Sequence, residues 1–168
     1  MAGALIVTVE FGPEDQAAFD RLRAAHYPHD RNVLHAHLTM FHALPPSAEA
    51  EVRNRLAEAS RESPPRARLH GLMDLGGGVA LRIVSDDLDR IRGGLADGLA
   101  GLLSAQDNGG WRPHVTIQNK VPVKQARALL TALEGDFRPR EVAICGLGLH
   151  RYLGGPWQRL AVYPFRGR

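Results

Sequence analysis

Cysteine is nearly missing from this sequence: its 168 residues include one, Cys145. A single cysteine excludes an intrachain disulfide and is typical of a reducing compartment, and the apolar strand around it predicts a buried, inert thiol. No hydrophobic run is long enough to cross a bilayer, and the apolar stretch 4–11 lacks the basic start and cleavage site of a secretory signal. We therefore expect a cytoplasmic protein with no membrane partner.

Several motifs of known site types are also missing. No Lys/Arg run marks a nucleic-acid-binding tail, and no G-x-S-x-G elbow marks a serine nucleophile. The glycine run 76–78 lacks both the Lys-Ser/Thr ending and the spacing of a phosphate-binding loop, so a turn is expected there. The formal net charge of +3 agrees with a polyanionic partner but does not identify one.

Threonine is scarce, and its distribution carries the main signal. Two of the four threonines lie in the matching strings His37-Leu38-Thr39-Met40 and His114-Val115-Thr116-Ile117. With 8 histidines in the chain, chance predicts only ~0.2 His-x-Thr triplets. In a strand, His and Thr then share one face while the apolar residues occupy the other. The repeat predicts one site built from two equivalent strands.

The element order supports this duplication. The patterns predict strands over 4–11, 33–44, 66–75, 79–85, 114–121, 142–152 and 157–165, and helices over 13–27, 48–62, 88–104 and 122–133. A motif strand, a helix and a hairpin therefore occur twice, at about 34–85 and 113–165, as two lobes of a single domain over 1–168. Hairpins mixed with helices predict the α+β class, mainly antiparallel, with the helices outside.

The motif pair and its spacing resemble the 2H phosphoesterase superfamily, in particular its 2′-5′ RNA ligase-like (cyclic phosphodiesterase) branch. Arg112-Pro113 leading into His114 and the closing Tyr152-x-x-Gly-Pro-Trp157 hairpin also match. Two positions depart from the family pattern. Gln118-Asn119 stand before Lys120 where a basic residue is usual, and His42 occupies a usually apolar position.

The resemblance implies a bilobal, pseudo-twofold fold with two mainly antiparallel sheets lining a central cleft that contains both motif strands. It also implies action on cyclic or 2′-5′ phosphodiesters of small nucleotides or RNA ends. Members work without a metal or other cofactor, and some also join RNA ends in the reverse, 2′-5′ ligase reaction.

The residue types suit this chemistry. Opening a 2′,3′-cyclic phosphate needs a base for water and an acid for the leaving ribose oxygen, and imidazole can serve as either near neutral pH. We predict that His37 and His114 are this pair, in either assignment, and that the Thr39 and Thr116 hydroxyls bind the phosphate oxygens. Possible further substrate contacts are Arg112, Tyr152 and His35; His150, Arg151 and Lys120 are expected at the solvated surface.

Two alternatives stay open at this point. One is a non-catalytic protein that binds RNA ends or nucleotides in the same cleft. The other is a metal-dependent hydrolase with His35, His37 and His114 as ligands. His42 falls on the opposite strand face and is expected to be structural, and a monomer is expected because both motifs lie in one chain.

Overall fold

The computed structural model describes residues 3–168, so the first two residues of the predicted domain lie outside the described part. Its elements are β1 (Leu5–Phe11), α1 (Pro13–His26), β2 (Leu38–Leu44), α2 (Glu49–Ala59), β3 (Arg66–Asp74), β4 (Val79–Val84), α3 (Asp86–Gly98), α4 (Ala105–Asn108), β5 (His114–Gln118), α5 (Val123–Asp136), β6 (Arg140–Tyr152) and β7 (Trp157–Pro164). No helix within residues 3–168 is long and apolar enough to cross a membrane.

All strand pairs are antiparallel, which confirms the predicted α+β class. We call β2, β1, β6 and β7 the first sheet, and β5, β4, β3 and the start of β6 the second sheet. The long strand β6 joins them, because its residues 140–143 pair with β3 and its residues 144–151 pair with β1. Each motif strand thus lies in a sheet with the hairpin of the other half of the chain.

One hydrophobic core extends through both sheets. Alternation along β5 buries Val115 and Ile117, and α3 directs Leu88, Ile91 and Leu95 into the same cluster. Ser85 begins α3 as its N-cap, accepting a hydrogen bond from the Leu88 N–H. The helices α3 and α5 pack against β3, and α1 packs against the motif strand β5.

The strand predicted from residue 33 begins only at Leu38. The backbone of Ala36 instead bonds to side chains of α1: its N–H donates to Asp20 Oδ1 at 2.8 Å and its carbonyl accepts from Gln16 Nε2 at 2.8 Å. His37 therefore stands immediately before β2, next to a residue whose backbone bonds to α1 rather than to a strand partner.

The helix predicted over 88–104 ends at Gly98. Gly101, with φ at +85°, lies in the turn that follows, and a short helix, α4, covers part of the segment predicted as a loop. A Cβ on Gly93 or Gly94 would meet no atom within 4 Å, so these glycines mark no close packing.

Candidate active site

The two motif histidines have the same local geometry. Nδ1 of His37 lies 2.8 Å from the carbonyl oxygen of His35, and Nδ1 of His114 lies 2.7 Å from that of Arg112. A carbonyl can only accept, so each Nδ1 carries the hydrogen and donates it. In the neutral ring the lone pair is then on Nε2, and within residues 3–168 no protein group bonds either Nε2. Both rings are thus preset to exchange a proton at Nε2.

The motif threonines lie two residues farther along the same faces. Thr39 and Thr116 are half-buried, while the apolar residues that alternate with them are buried. The strands that carry them, β2 and β5, contact each other. Neither hydroxyl has a hydrogen-bond partner in the described chain, so both are available to a ligand.

Each motif strand is also bonded by a side chain from the other half of the molecule. The Trp111 indole, which precedes the second motif, donates to the Thr39 carbonyl at 2.9 Å. The buried Arg23 guanidinium of α1 donates to the Thr116 carbonyl at 3.0 Å, and it is fixed by Asn32 and by the Tyr27 ring 3.9 Å away. These two bonds link the motif strands across the site, and the sequence analysis did not identify either side chain.

His37 stands in a distinctive environment. Its ring centroid is 4.6 Å from that of Trp157, and the charges of Arg23 and His114 act on it. Burial first, and then these charges, lower the pKa of His37 to about 4, although the hydrogen bond to the His35 carbonyl acts in the opposite direction. At neutral pH His37 is therefore uncharged.

A chain of polar contacts begins at His150, which also packs against Trp157. The His150 ring lies 5.4 Å from the Trp157 ring, and its Nε2 is 2.9 Å from Thr8 Oγ1. That hydroxyl donates to Glu10, which also pairs with Arg159. Burial, with the charge of Arg159, lowers the pKa of His150 to about 4.

The expectation that His150 is a solvated surface residue is therefore wrong, since it is only 8% exposed. Alternation along β6 places it on the same face as Gly148, and a Cβ on Gly148 would stand 2.6 Å from Thr8 Oγ1 and 3.0 Å from His150 Nε2. That glycine is the sequence signal for a close approach at this point.

A cavity of about 490 Å³ opens beside His37. Its lining includes Thr8, Glu10, His150, Trp157 and Arg159 of the first sheet, together with His35 from the segment before β2. Since Arg159 pairs with Glu10, the cavity combines an aromatic surface with compensated charge. This combination suits an uncharged ring system with polar edges.

The other residues that the sequence offered as substrate contacts or surface residues differ in their exposure and partners. Arg112 is exposed beside His114, and half-buried Tyr152 pairs with Trp157 in the closing hairpin. The His35 side chain is 91% exposed and lies 3.5 Å from Asp20. Lys120 is exposed and Arg151 pairs with Glu49.

Two further residues concern structure rather than the site. His42 bonds the buried Asp107 carboxylate through both its backbone N–H and its ring Nδ1, each at 2.9 Å, in keeping with a structural role. Cys145 was expected to be buried, but it is exposed on β6 and lines the cavity, so that expectation is wrong.

The metal-hydrolase alternative needs His35, His37 and His114 around one ion. In the part of the chain that the structure describes, no three His, Cys, Asp or Glu side chains are grouped to hold a metal. His35 instead contacts Asp20. The ligand set of that alternative is therefore not assembled.

Comparison with known proteins places this arrangement in a family. No curated protein sequence matches the chain. Its fold is similar to that of TT0787 from Thermus thermophilus, with a TM-score of 0.72 and 20% identity over 98% of this chain and 99% of the other. It is also similar to Escherichia coli LigT in a complex with 3′-AMP, with a TM-score of 0.67 and 16% identity over the same shares.

The sequence profile of the 2′-5′ RNA ligase superfamily matches residues 11–156, which contain both motifs and the residues that bond them. The duplicated motif, the antiparallel α+β architecture and the two solved relatives agree with that match. The chain belongs to the 2′-5′ RNA ligase superfamily, within the 2H phosphoesterases.

Proposed function

We propose that this protein is a phosphodiesterase that hydrolyses the 2′,3′-cyclic phosphate, or a 2′-5′ phosphodiester, of RNA ends or nucleotides without a metal ion. The observation that carries the proposal is the pair of imidazoles with identical Nδ1 hydrogen bonds and unbonded Nε2 atoms. A base and an acid of one chemical type are what this reaction and its reversal require.

The two histidines have different roles in this proposal. His37, uncharged at neutral pH, takes a proton from water at Nε2 as the water oxygen attacks phosphorus. A protonated His114 gives its Nε2 hydrogen to the ribose oxygen as the P–O bond breaks in line. The Thr39 and Thr116 hydroxyls donate to the non-bridging oxygens. When the 5′-hydroxyl of a second RNA replaces water as the nucleophile, the same two proton transfers break the bond from phosphorus to the 3′ oxygen and form a 2′-5′ phosphodiester.

The cavity beside His37 is proposed to hold the nucleoside next to the reacting phosphate. Its Trp157 surface suits stacking with a base, and its compensated charges suit an uncharged group. The similar fold of LigT has been solved with 3′-AMP, with ATP and with NADP+, which supports a nucleotide in this chain as well.

The test uses a short RNA that ends in a 2′,3′-cyclic phosphate, with EDTA present. We expect the wild type to hydrolyse it, while His37→Ala and His114→Ala are inactive with unchanged circular dichroism. Near-normal turnover by either variant would remove that histidine from the mechanism. Binding of the RNA without turnover by the wild type would instead favour the non-catalytic alternative, and loss of activity in EDTA would reject the metal-free reaction.

A further inference from the structure

The motif face of the second sheet carries arginines in register with His114. In an antiparallel pair, residues directly opposite each other project from the same face. Arg82 on β4 is the partner of His114 on β5. Val84, two residues beyond Arg82 and so on its face, is the partner of Arg68 on β3. Arg82 and Arg68 therefore continue the motif face away from the candidate active site, strand by strand.

This face is open. Arg68 and Arg82 are exposed, whereas Leu81 and Ile83, which alternate with Arg82 along β4, are buried in one cluster with apolar residues of α3. Gly71 is the β3 partner of Arg82, and a Cβ at Gly71 would meet no atom within 4 Å. The backbone of Gly71, opposite Arg82, is therefore open to a ligand.

The arginines on this face form no direct ion pair of the kind found beside the cavity. On the first sheet, Arg159 pairs with Glu10. Among residues 3–168, no carboxylate comes within 4.0 Å of the guanidinium of Arg68, Arg82 or Arg112. At the far end of the face, Glu141 is the β6 partner of Arg68, and Asp86 and Asp87 line the same surface pocket as Arg68. The basic face therefore begins at His114 and ends at β6.

We infer that this face, which we define as Arg68, Arg82 and the open surface at Gly71, binds the phosphates of a single-stranded RNA whose end occupies the active site. Three strands at a spacing of about 4.8 Å extend the site by roughly 10 Å, enough for phosphates beyond the reacting one. The inference rests on the proposed function and adds to it a substrate class, an RNA strand rather than a free mononucleotide.

Binding tests the inference without turnover. A fluorescein-labelled, single-stranded RNA with a 3′-hydroxyl end offers no cyclic phosphate, and its anisotropy reports affinity at several salt concentrations. We expect Arg68→Gln/Arg82→Gln to weaken binding on the order of tenfold at low salt. The slope of log K against log salt should become shallower by about 1.4, because each lost contact with a single strand removes about 0.7.

The matched control is Lys124→Gln/Arg127→Gln, which removes the same charge from exposed positions of α5, on the other side of the second sheet. It should bind the RNA nearly as the wild type does. If it weakens binding as much as the arginine pair, net charge alone explains the effect and the inference is wrong. Wild-type affinity in the Arg68/Arg82 variant overturns it as well.

Gly71 supplies a second, independent pair of variants. Gly71→Glu adds a negative charge to the open surface where a side chain meets no protein atom, and Gly71→Gln adds nearly the same volume without the charge. We expect the Glu variant to bind RNA several-fold more weakly than the Gln variant, with equal melting temperatures. Equal affinities would place the RNA elsewhere.

Turnover separates this inference from the function on which it rests. In the wild type, kcat/KM for a cyclic-phosphate substrate should rise as the RNA is lengthened from one nucleotide to about four. A value that does not change with length contradicts the basic face but leaves the phosphodiesterase standing. No hydrolysis at any length contradicts the phosphodiesterase, while the anisotropy experiments still decide whether the face binds RNA.

Discussion

At the scale of single residues, the two motif imidazoles share their hydrogen bonding and differ in their surroundings. His37 packs against Trp157 and is uncharged at neutral pH, whereas His114 stands opposite Arg82 at the edge of an open face. Identical backbone bonds fix which ring nitrogen reacts, and the surroundings then decide the protonation state. This difference leads to the assignment of His37 as the base.

The assignment predicts the acid side of the pH–rate profile. Protonation of His37 removes the lone pair that accepts the proton, so kcat/KM should fall as the pH drops through about 4, not through 6.5. In Trp157→Ala, solvent reaches the ring, and the acid limb should move toward 6.5. NMR titration of the His37 Cε1 proton gives the same pKa directly. An acid limb near 6.5 in the wild type would reverse the assigned roles.

The motif hydroxyls give a second prediction at this scale. The Thr39 and Thr116 hydroxyls have no hydrogen-bond partner in the described chain, so their contribution should fall mainly on the transition state. We expect each Thr→Ala change to lower kcat on the order of 10²-fold, the effect of removing one donor to a developing charge. A Thr→Ser change at the same position keeps the hydroxyl and should therefore retain most of the wild-type kcat. Full activity in both Ala variants would exclude the hydroxyls from catalysis.

At the scale of elements, two glycines with opposite surroundings make a matched pair. Gly148 on β6 has no room for a Cβ beside Thr8 and His150, whereas Gly94 on α3 has open space around it. Gly148→Ala should therefore lower the free energy of unfolding by about 1–3 kcal/mol through overpacking. Gly94→Ala should raise it by about 0.5–1 kcal/mol through helix propensity. Urea titrations measure both, and a neutral Gly148→Ala would show that the polar chain can move aside.

Elements also show what the sequence could predict. The prediction that α1 begins at Pro13 and that a hairpin turns at the glycine run 76–78 was correct, because local residues determine both. The start of β2 was predicted too early, since Ala36 bonds to α1 through contacts distant in sequence. The helix predicted over 88–104 was too long, because its apolar pattern continues beyond Gly98, where α3 ends. Local sequence signals thus predicted which helices and strands form, whereas contacts between residues distant in sequence determined where β2 begins.

At the scale of the whole molecule, the halves of the chain are interlocked. Each motif strand pairs within a sheet that contains the hairpin of the other half, and β6 belongs to both sheets. The two motifs are visible in the sequence because the spacing within each motif is local, and the catalytic role of their four residues stays a prediction. It did not predict Arg23 or Trp111, whose partners are 93 and 72 residues away along the chain. The roles of Arg23 and Trp111 depend on the packing of one half of the chain against the other.

This interlocking predicts how Arg23 and Trp111 act together. Trp111→Phe removes the indole donor to Thr39, and Arg23→Lys removes the paired donors to Thr116 and Asn32. Each change should lower the free energy of unfolding by about 1 kcal/mol. Because the two bonds are separate, the two losses of stability should add in the double variant.

The effect on kcat should not add. If both bonds hold the motif strands in one relative position, losing the first already releases that position, and losing the second releases little more. We therefore expect each single variant to lower kcat on the order of tenfold, since small misplacements of reacting groups have large effects, and the double variant to be only slightly slower. A double-mutant cycle on kcat, run beside the one on stability, measures this. Additive losses in kcat would mean that Arg23 and Trp111 each support only their own strand.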